Sequence, residues 1–507
     1  MRVPEVDWLA KWAVYTPRQR FLRDHAGDRE WGFAAMDGRV RALALALARD
    51  HGVQAGDRVA VLARNRVETV ALWLACVKLG AILTPFNFRL TAPELQVLVD
   101  DCEPALLWSE SASDAVAAGL TLPAGCARLD LAMVDSLLNA EAPAGADARF
   151  DARTPDDPVM ILYTSGTTGT PKGALIDHRM LFWNAVNTNL RLDLTSADHT
   201  QSYAPFFHTG GWNVLFTPFL QTGASHTVLE GFDADLLLEL IERERSTLLF
   251  GVPTMLQMLA DAPGFAAADL SSLRYAIVGG AAMPLDLIDV WHGRGVPIRQ
   301  GYGLTEVGPN CFSLHQDDAV RKRGSIGFPN FHVAVRVVDD DGRDCGVDEP
   351  GELWLKGDNV TPGYWRRPQE TAAAMSDGWF RTGDMVRRDD EGFTFVVDRK
   401  KNMYISGGEN VYPAEVEAVL ASHPDVREAA VIGVPDDRWG EAGRAFLVPE
   451  PGRELDVAQV RAHCDGRLAR YKIPRDLAVL DELPRNQAGK IDRPALSRLN
   501  PEKENPA

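Results

Sequence analysis

The chain has 507 residues, 46% of them hydrophobic and 24% charged, with a formal net charge of −18. Such a length exceeds one ordinary domain and predicts two to four. The acidic balance excludes partners that need a basic face, nucleic acid and anionic membranes alike.

The opening MRVPEVDWLAKW has no apolar core of signal-peptide length and carries Glu5 and Asp7 early. Further on, ALWLACVKLGAILTPF is interrupted by Lys78 and Gly80, so it reads as a buried helix followed by a strand rather than a membrane span. The six cysteines form no CxxC pair and no Cys/His cluster with metal spacing, which reads as free cytosolic thiols. A cytoplasmic protein is expected.

DRVAVLAR (57–64) reads as a strand, VETVALWLACVKLG as a helix closed by Gly80, and AILTPFNF as the next strand. TAPELQVLVDD opens a helix with a capping box, Thr91 three residues before Glu94, and Pro93 in its first turn. The stretch 111–157 is rich in Ala, Asp and Pro and weakly patterned, which predicts a subdomain boundary or surface excursion. A second round begins with DDPVMILYTSG, an apolar strand feeding a small, polar loop. From about 324 short β segments follow: VAVRVVDDDGRDC with an Asp-Gly turn, GELWLKG and GFTFVVD. The tail alternates again, with PAEVEAVLASH and VAQVRAHCDGRLARY as helices around the strands EAAVIGV and GRAFLVP. The alternation predicts an α/β fold. A large N-terminal domain (1–397, subdomains about 1–157, 158–323 and 324–397) would carry parallel-type sheets flanked by helices plus a β subdomain. A linker at 398–401 would lead to a small α/β domain at 402–507.

The loop YTSGTTGTPKGA (163–174) has the chemistry of a phosphate cradle. Its glycines let backbone N–H groups turn inward, its hydroxyls add donors, and Lys172 supplies a point charge. It is not the nucleoside-triphosphatase pattern G-x-x-x-x-G-K-[ST]: Pro171 separates the glycines from Lys172, and Gly173 stands where Ser or Thr would hold magnesium.

This loop closely resembles that of the adenylate-forming superfamily of acyl-CoA synthetases, adenylation domains and firefly luciferase. The likeness continues in order through APFFHTGG (204–211), VGGAAMP (278–284), QGYGLTE (300–306), RTGD (381–384), DRKKNMYISGGENVYPAEVE (398–417), DRWGE (437–441), YKIP (471–474) and PRNQAGK (484–490). The resemblance implies an ATP-dependent acyl-CoA synthetase that turns a carboxylic acid, ATP and CoA into acyl-CoA, AMP and pyrophosphate through an acyl-AMP. Activation by AMP gives a poor electrophile a good leaving group, and cations must offset the repulsion of carboxylate and phosphate. Two alternatives stay open: a stand-alone ligase loading an acyl carrier protein or an amine, and a disfavoured P-loop ATPase or switch.

Residue by residue, the resemblance places Thr164, Ser165, Gly166, Thr167, Thr168, Gly169 and Lys172 on the phosphates. Gly301, Tyr302, Gly303 and Thr305 would meet the nucleotide, with Tyr302 facing adenine and Glu306 holding magnesium. Asp384 would take the ribose diol, with Arg399 beside it. Lys490 would bridge carboxylate and α-phosphate, although Asn486 and Ala488 depart from the usual P-R-T-x-S-G-K. Phe207, His208, Trp212, Gly279, Gly280 and Ala281 would form the acyl pocket, with His208 at its mouth. Gly407, Gly408, Trp439 and Lys472 would line the CoA channel. Lys401 would be the hinge on which a mobile C-terminal domain turns between two half-reactions, with Asn402 where an Asp is common. Aromatic and small residues suit a medium- or long-chain fatty acid or an aromatic acid. Cofactors are ATP, Mg2+ and CoA, and the oligomeric state is unreadable.

Overall fold

The computed structural model describes residues 6–140, 145–164, 171–281, 283–406, 409–436, 438–486 and 489–499. The chain is mixed α/β and separates into two compact units, residues 1–335 with 355–381, and residues 336–354 with 382–507.

In the larger unit the strand Arg58–Leu62 is flanked by Ile82–Phe86 and Leu106–Ser109, all parallel. The helix Val67–Leu79 between the first two is buried along its whole length, as its mostly apolar sequence requires, and the burial includes its charged residues Glu68 and Lys78. Its one cation, Lys78, donates to Asp7 and Asp37 at 2.7 Å each, so a buried charge is met by two carboxylates. Thr91 and Glu94 form the expected capping box.

The first part of the weakly patterned stretch, to Asn139, is part of this core rather than an excursion, while residues 145–157 are irregular and mostly exposed. Ala127–Asp130 is the sheet's edge strand, and Leu131, Val134 and Leu138 bury one face of the helix Ala132–Asn139. The 3.6-residue spacing is there, but short apolar side chains among Ala and Asp dilute it. The sheet then continues past residue 157: Pro158–Thr164 joins Ile82–Phe86 in parallel and turns back as Lys172–Asp177.

A second sheet of the unit runs Arg29–Gly32, Arg20–Asp24, Ser225–Val228, His199–Ser202. A third places Leu248–Gly251, Tyr275–Val278 and Ile298–Leu304 in parallel, followed by antiparallel Gly308–Ser313.

In the smaller unit Thr394–Arg399 pairs antiparallel with residues 384–388. The long hairpin of Val426–Asp436 and Gly440–Pro449 carries Asp476–Val479 in parallel on one edge. Val416 and Leu420 of the helix Pro413–Ala421 close its core with Tyr404, Val431, Leu447 and Val460. The helix expected over 457–471 stops at Cys464, because Gly466 adopts a φ of +75° immediately after. No helix among the described residues is long and apolar enough to cross a membrane.

Candidate active site

The two strands that flank the phosphate loop pair antiparallel. Thr164 and Lys172 are register partners at the loop end of this pairing, and Ser165, Gly166, Thr167, Thr168 and Gly169 lie outside the described residues. Gly173 is fixed by packing, since a Cβ there would meet Ile161 Cγ2 at 2.6 Å. A Ser or Thr in that slot would have to displace the core strand below it.

QGYGLTE spans the end of the strand Ile298–Leu304 and the start of the turn that leads into Gly308–Ser313. Gly303 lets the two strands touch: a Cβ there would lie 2.3 Å from the Gly308 carbonyl oxygen, whereas one at Gly301 meets nothing nearer than 3.6 Å. Thr305 begins the turn, and Tyr302 packs edge-on against Phe312 at 5.8 Å with part of its ring still exposed.

Glu306 comes from this turn to the mouth of the phosphate hairpin. Its Oε1 lies 3.5 Å from the Thr164 hydroxyl and accepts from the Tyr364 hydroxyl at 3.0 Å. The Lys172 ammonium stands 5.4 Å from the centre of the Tyr364 ring. A half-exposed carboxylate beside hydroxyl oxygens is the hard donor set that magnesium accepts. These residues therefore fit the metal expected of Glu306.

On the acyl side Phe207 meets Phe88 edge-on at 5.6 Å and His208 at 4.5 Å. His208 is half-buried and N-terminal to the short helix Thr209–Asn213. Gly279 and Gly280 follow the strand Tyr275–Val278, with Gly280 at φ +81°, and Ala281 is exposed beside them. Between the two turns lies Phe250: Cβ atoms on Gly210 and Gly279 would come within 3.5 and 3.8 Å of its ring. Trp212 is different. It is fully buried, stacked on Phe206 at 4.3 Å and packed against Trp73 and Phe216, which makes it core rather than pocket wall.

The smaller unit holds the second set. Asp384 is buried, and Arg399, its register partner across two strands, brings Nε to 2.6 Å from Oδ1. The expected hinge is braced on both sides. Lys400 pairs with Asp340 at 2.7 Å and Glu352 at 3.3 Å, while Asp398 accepts from Asn402 Nδ2 at 3.0 Å and from the Ala414 N–H at 2.8 Å. An Asp at 402 would face Asp398 with like charge, which accounts for the asparagine. Partial desolvation, then the charges of Arg399 and Arg493, hold the Lys401 ammonium below its ordinary pKa.

Lys490 is exposed at the end of a small loop that Asn486 closes. The Asn486 N–H donates to the Lys490 carbonyl at 2.7 Å, and its Oδ1 accepts from the Lys490 N–H at 3.1 Å. Gly489 sits at φ +76° between them. Lys472 gives its ammonium to both oxygens of Glu415 at 2.7 Å, so it is a paired surface cation. Trp439 is exposed beneath the Arg438 guanidinium, and Gly407 and Gly408 lie outside the described residues.

Sequence reasoning missed Tyr364 and Phe250. Tyr364 belongs to TPGYW, whose Pro-Gly turn was the only available signal, and Phe250 reads as an ordinary strand residue in LLFGVP.

Comparison with known proteins identifies the family. The model of the AMP-binding enzyme family matches residues 9–365, and that of the AMP-binding enzyme C-terminal domain matches 415–490. Indoleacetate–CoA ligase of Aromatoleum aromaticum is 41% identical over 501 residues, covering 97% of each chain. Feruloyl-CoA synthase of an Amycolatopsis species is 41% identical over 491 residues, covering 96% of each. Among solved structures, o-succinylbenzoate CoA synthetase from Bacillus subtilis, in complex with its acyl-adenylate, superposes with a TM-score of 0.87 at 33% identity, over 98% of this chain and 99% of that one.

Proposed function

We propose, for a chain that belongs to the AMP-binding enzyme family, that its acid substrate is an aryl carboxylic acid. The protein is an AMP-forming acid–thiol ligase that uses ATP, Mg2+ and CoA. The observation that carries the aryl reading is the Phe250 ring lying between Gly210 and Gly279, with Phe207 and His208 on the neighbouring turn. Small residues packed against aromatic rings suit a planar acid, which can stack on them. The aryl acids named for the two relatives support the same reading.

In this reading the Thr164–Lys172 hairpin holds the β- and γ-phosphates and Tyr302 faces adenine. Bound to Glu306, magnesium supplies charge neutralisation for the departing pyrophosphate. The acid's carboxylate oxygen attacks the α-phosphorus, the new P–O bond forms, and the bond to the β-phosphate breaks. Lys490 holds the two anions together at that moment, and its loop is set by Asn486. Asp384, oriented by Arg399, accepts from the ribose hydroxyls. A turn about Lys401 then clears Lys490, the CoA thiolate attacks the acyl carbon, the C–S bond forms, and the acyl–oxygen bond to AMP breaks so that AMP leaves. His208 orients the carboxylate at the mouth.

The test is a screen of pyrophosphate and thioester release over indole-, phenylacetic-, cinnamic- and benzoic-type acids and saturated fatty acids, with and without CoA. The aryl reading expects one aryl class to lead by at least about tenfold in kcat/KM, the order of one well-filled pocket contact. A saturated fatty acid at the top overturns it. Acid-dependent pyrophosphate without any thioester removes CoA as the acceptor.

A further inference from the structure

One short segment, residues 359–365, braces two walls of the nucleotide site at once. On one side it lies along the strand after the phosphate loop: Ala174 and Tyr364 form an antiparallel bridge, the Trp365 N–H donates to the Gly173 carbonyl at 2.8 Å, and the Leu175 N–H donates to the Gly363 carbonyl at 3.0 Å. On the other side it holds the turn of Glu306. The Thr361 N–H donates to the Glu306 carbonyl at 2.7 Å, and Asn359 Nδ2 to the Val307 carbonyl at 2.6 Å. The side chain placed at this junction is Tyr364, whose hydroxyl donates to Glu306 Oε1 at 3.0 Å and whose ring faces the Lys172 ammonium at 5.4 Å.

We propose that Tyr364 is a positioning residue of adenylation, its hydroxyl aiming the Glu306 carboxylate and its ring staging the Lys172 ammonium. The inference rests on the reading of these two groups as the metal and phosphate ligands. Lys172 and Glu306 carry opposite charges in one small space, and a direct pair between them would occupy both before the nucleotide arrives. A phenol solves this with two different surfaces. Its polar hydrogen takes the anion, and its negative face takes the cation, each by a contact weak enough to yield to a phosphate or a metal. Tyrosine is the side chain that offers both, so phenylalanine and leucine remove the functions in sequence.

The test uses the full-length protein and calorimetric binding of α,β-methylene-ATP across a magnesium titration, alongside thermal melting. Tyr364→Phe keeps the ring and loses the hydroxyl, so the magnesium concentration for half-maximal binding should rise about 10-fold or more, the worth of one hydrogen bond to a charged group. Binding in excess EDTA should stay as in the native protein. Tyr364→Leu should weaken the EDTA binding as well, by about threefold or more, the worth of a partly exposed cation–π contact. Both variants should still convert supplied acyl-AMP and CoA to thioester. An unchanged magnesium requirement in Tyr364→Phe overturns the proposal. So does an equal loss in both variants accompanied by equal falls in melting temperature, which would mark a packing role. Lys172→Ala separates the two levels: if it leaves nucleotide binding intact, the site reading itself fails, and if it alone weakens binding, only the role of Tyr364 fails.

Discussion

Two glycines two residues apart in QGYGLTE invite a direct comparison, Gly303→Ala against Gly301→Ala. A Cβ at 303 would meet Gly308 O at 2.3 Å, Pro309 C at 2.4 Å and Pro309 O at 2.5 Å, where ordinary contact begins near 3.4 Å. All three atoms are backbone of the opposing strand, so no side chain can swing away. The strands must part by about 1 Å, and overpacking of this kind costs about 1–3 kcal/mol. The turn they enclose carries Thr305 and Glu306. A misplacement of about 1 Å in a catalytic group costs on the order of 10²-fold in rate. At 301 the nearest atoms are Phe312 O at 3.6 Å and Val278 O at 3.8 Å, so a methyl fits. Acid-dependent ATP–pyrophosphate exchange should therefore fall about 100-fold in Gly303→Ala, with a melting point lower by a few degrees, while Gly301→Ala stays within about threefold of the native rate. Equal activity in the two variants would refute the claim that strand contact at Gly303 sets the position of Glu306.

Lys490→Ala should cut adenylation by about 100-fold and spare thioester formation from supplied acyl-AMP, and Lys401→Pro should do the reverse; equal loss of both half-reactions in either variant contradicts the assigned roles. Stability should also report on Glu68, 3.5 Å from Arg29, whose pKa burial raises from 4.5 to about 7, with the nearby Asp24 and Asp135 carboxylates adding to it. A folded pKa above the unfolded one means the folded state holds the proton more tightly, so this group's contribution is complete below about pH 4.5 and is lost as pH rises to about 7. Glu68→Gln should accordingly raise the melting point more at pH 8 than at pH 5; a larger gain at pH 5 reverses the sign and refutes the assignment.

The chemistry of this protein was legible because its groups are grouped locally. Strand Pro158–Thr164 with its polar loop, QGYGLTE, RTGD and the Asn486–Lys490 loop each occupy a few consecutive residues, and each fixes its own backbone through a hairpin register, a tight turn or a positive-φ glycine. The α/β alternation was likewise local, because helix and strand periods are properties of neighbouring residues. The same reasoning misjudged the first part of 111–157, where a diluted periodicity over residues 127–139 still gives enough burial to complete a sheet, whereas residues 145–157 are largely exposed irregular chain.

What only the tertiary structure decided is which of the plausible side chains meet. Glu306 reaches Thr164 across 142 positions and Tyr364 across 58, and Phe250 reaches two glycines that belong to different motifs. Trp212 shows the converse. It has suitable chemistry for a pocket wall, but core stacking claims it. A motif specifies the groups a reaction requires, because their chemistry is carried by residue type. Partnership depends on how distant strands pack, and no short window of sequence contains both partners.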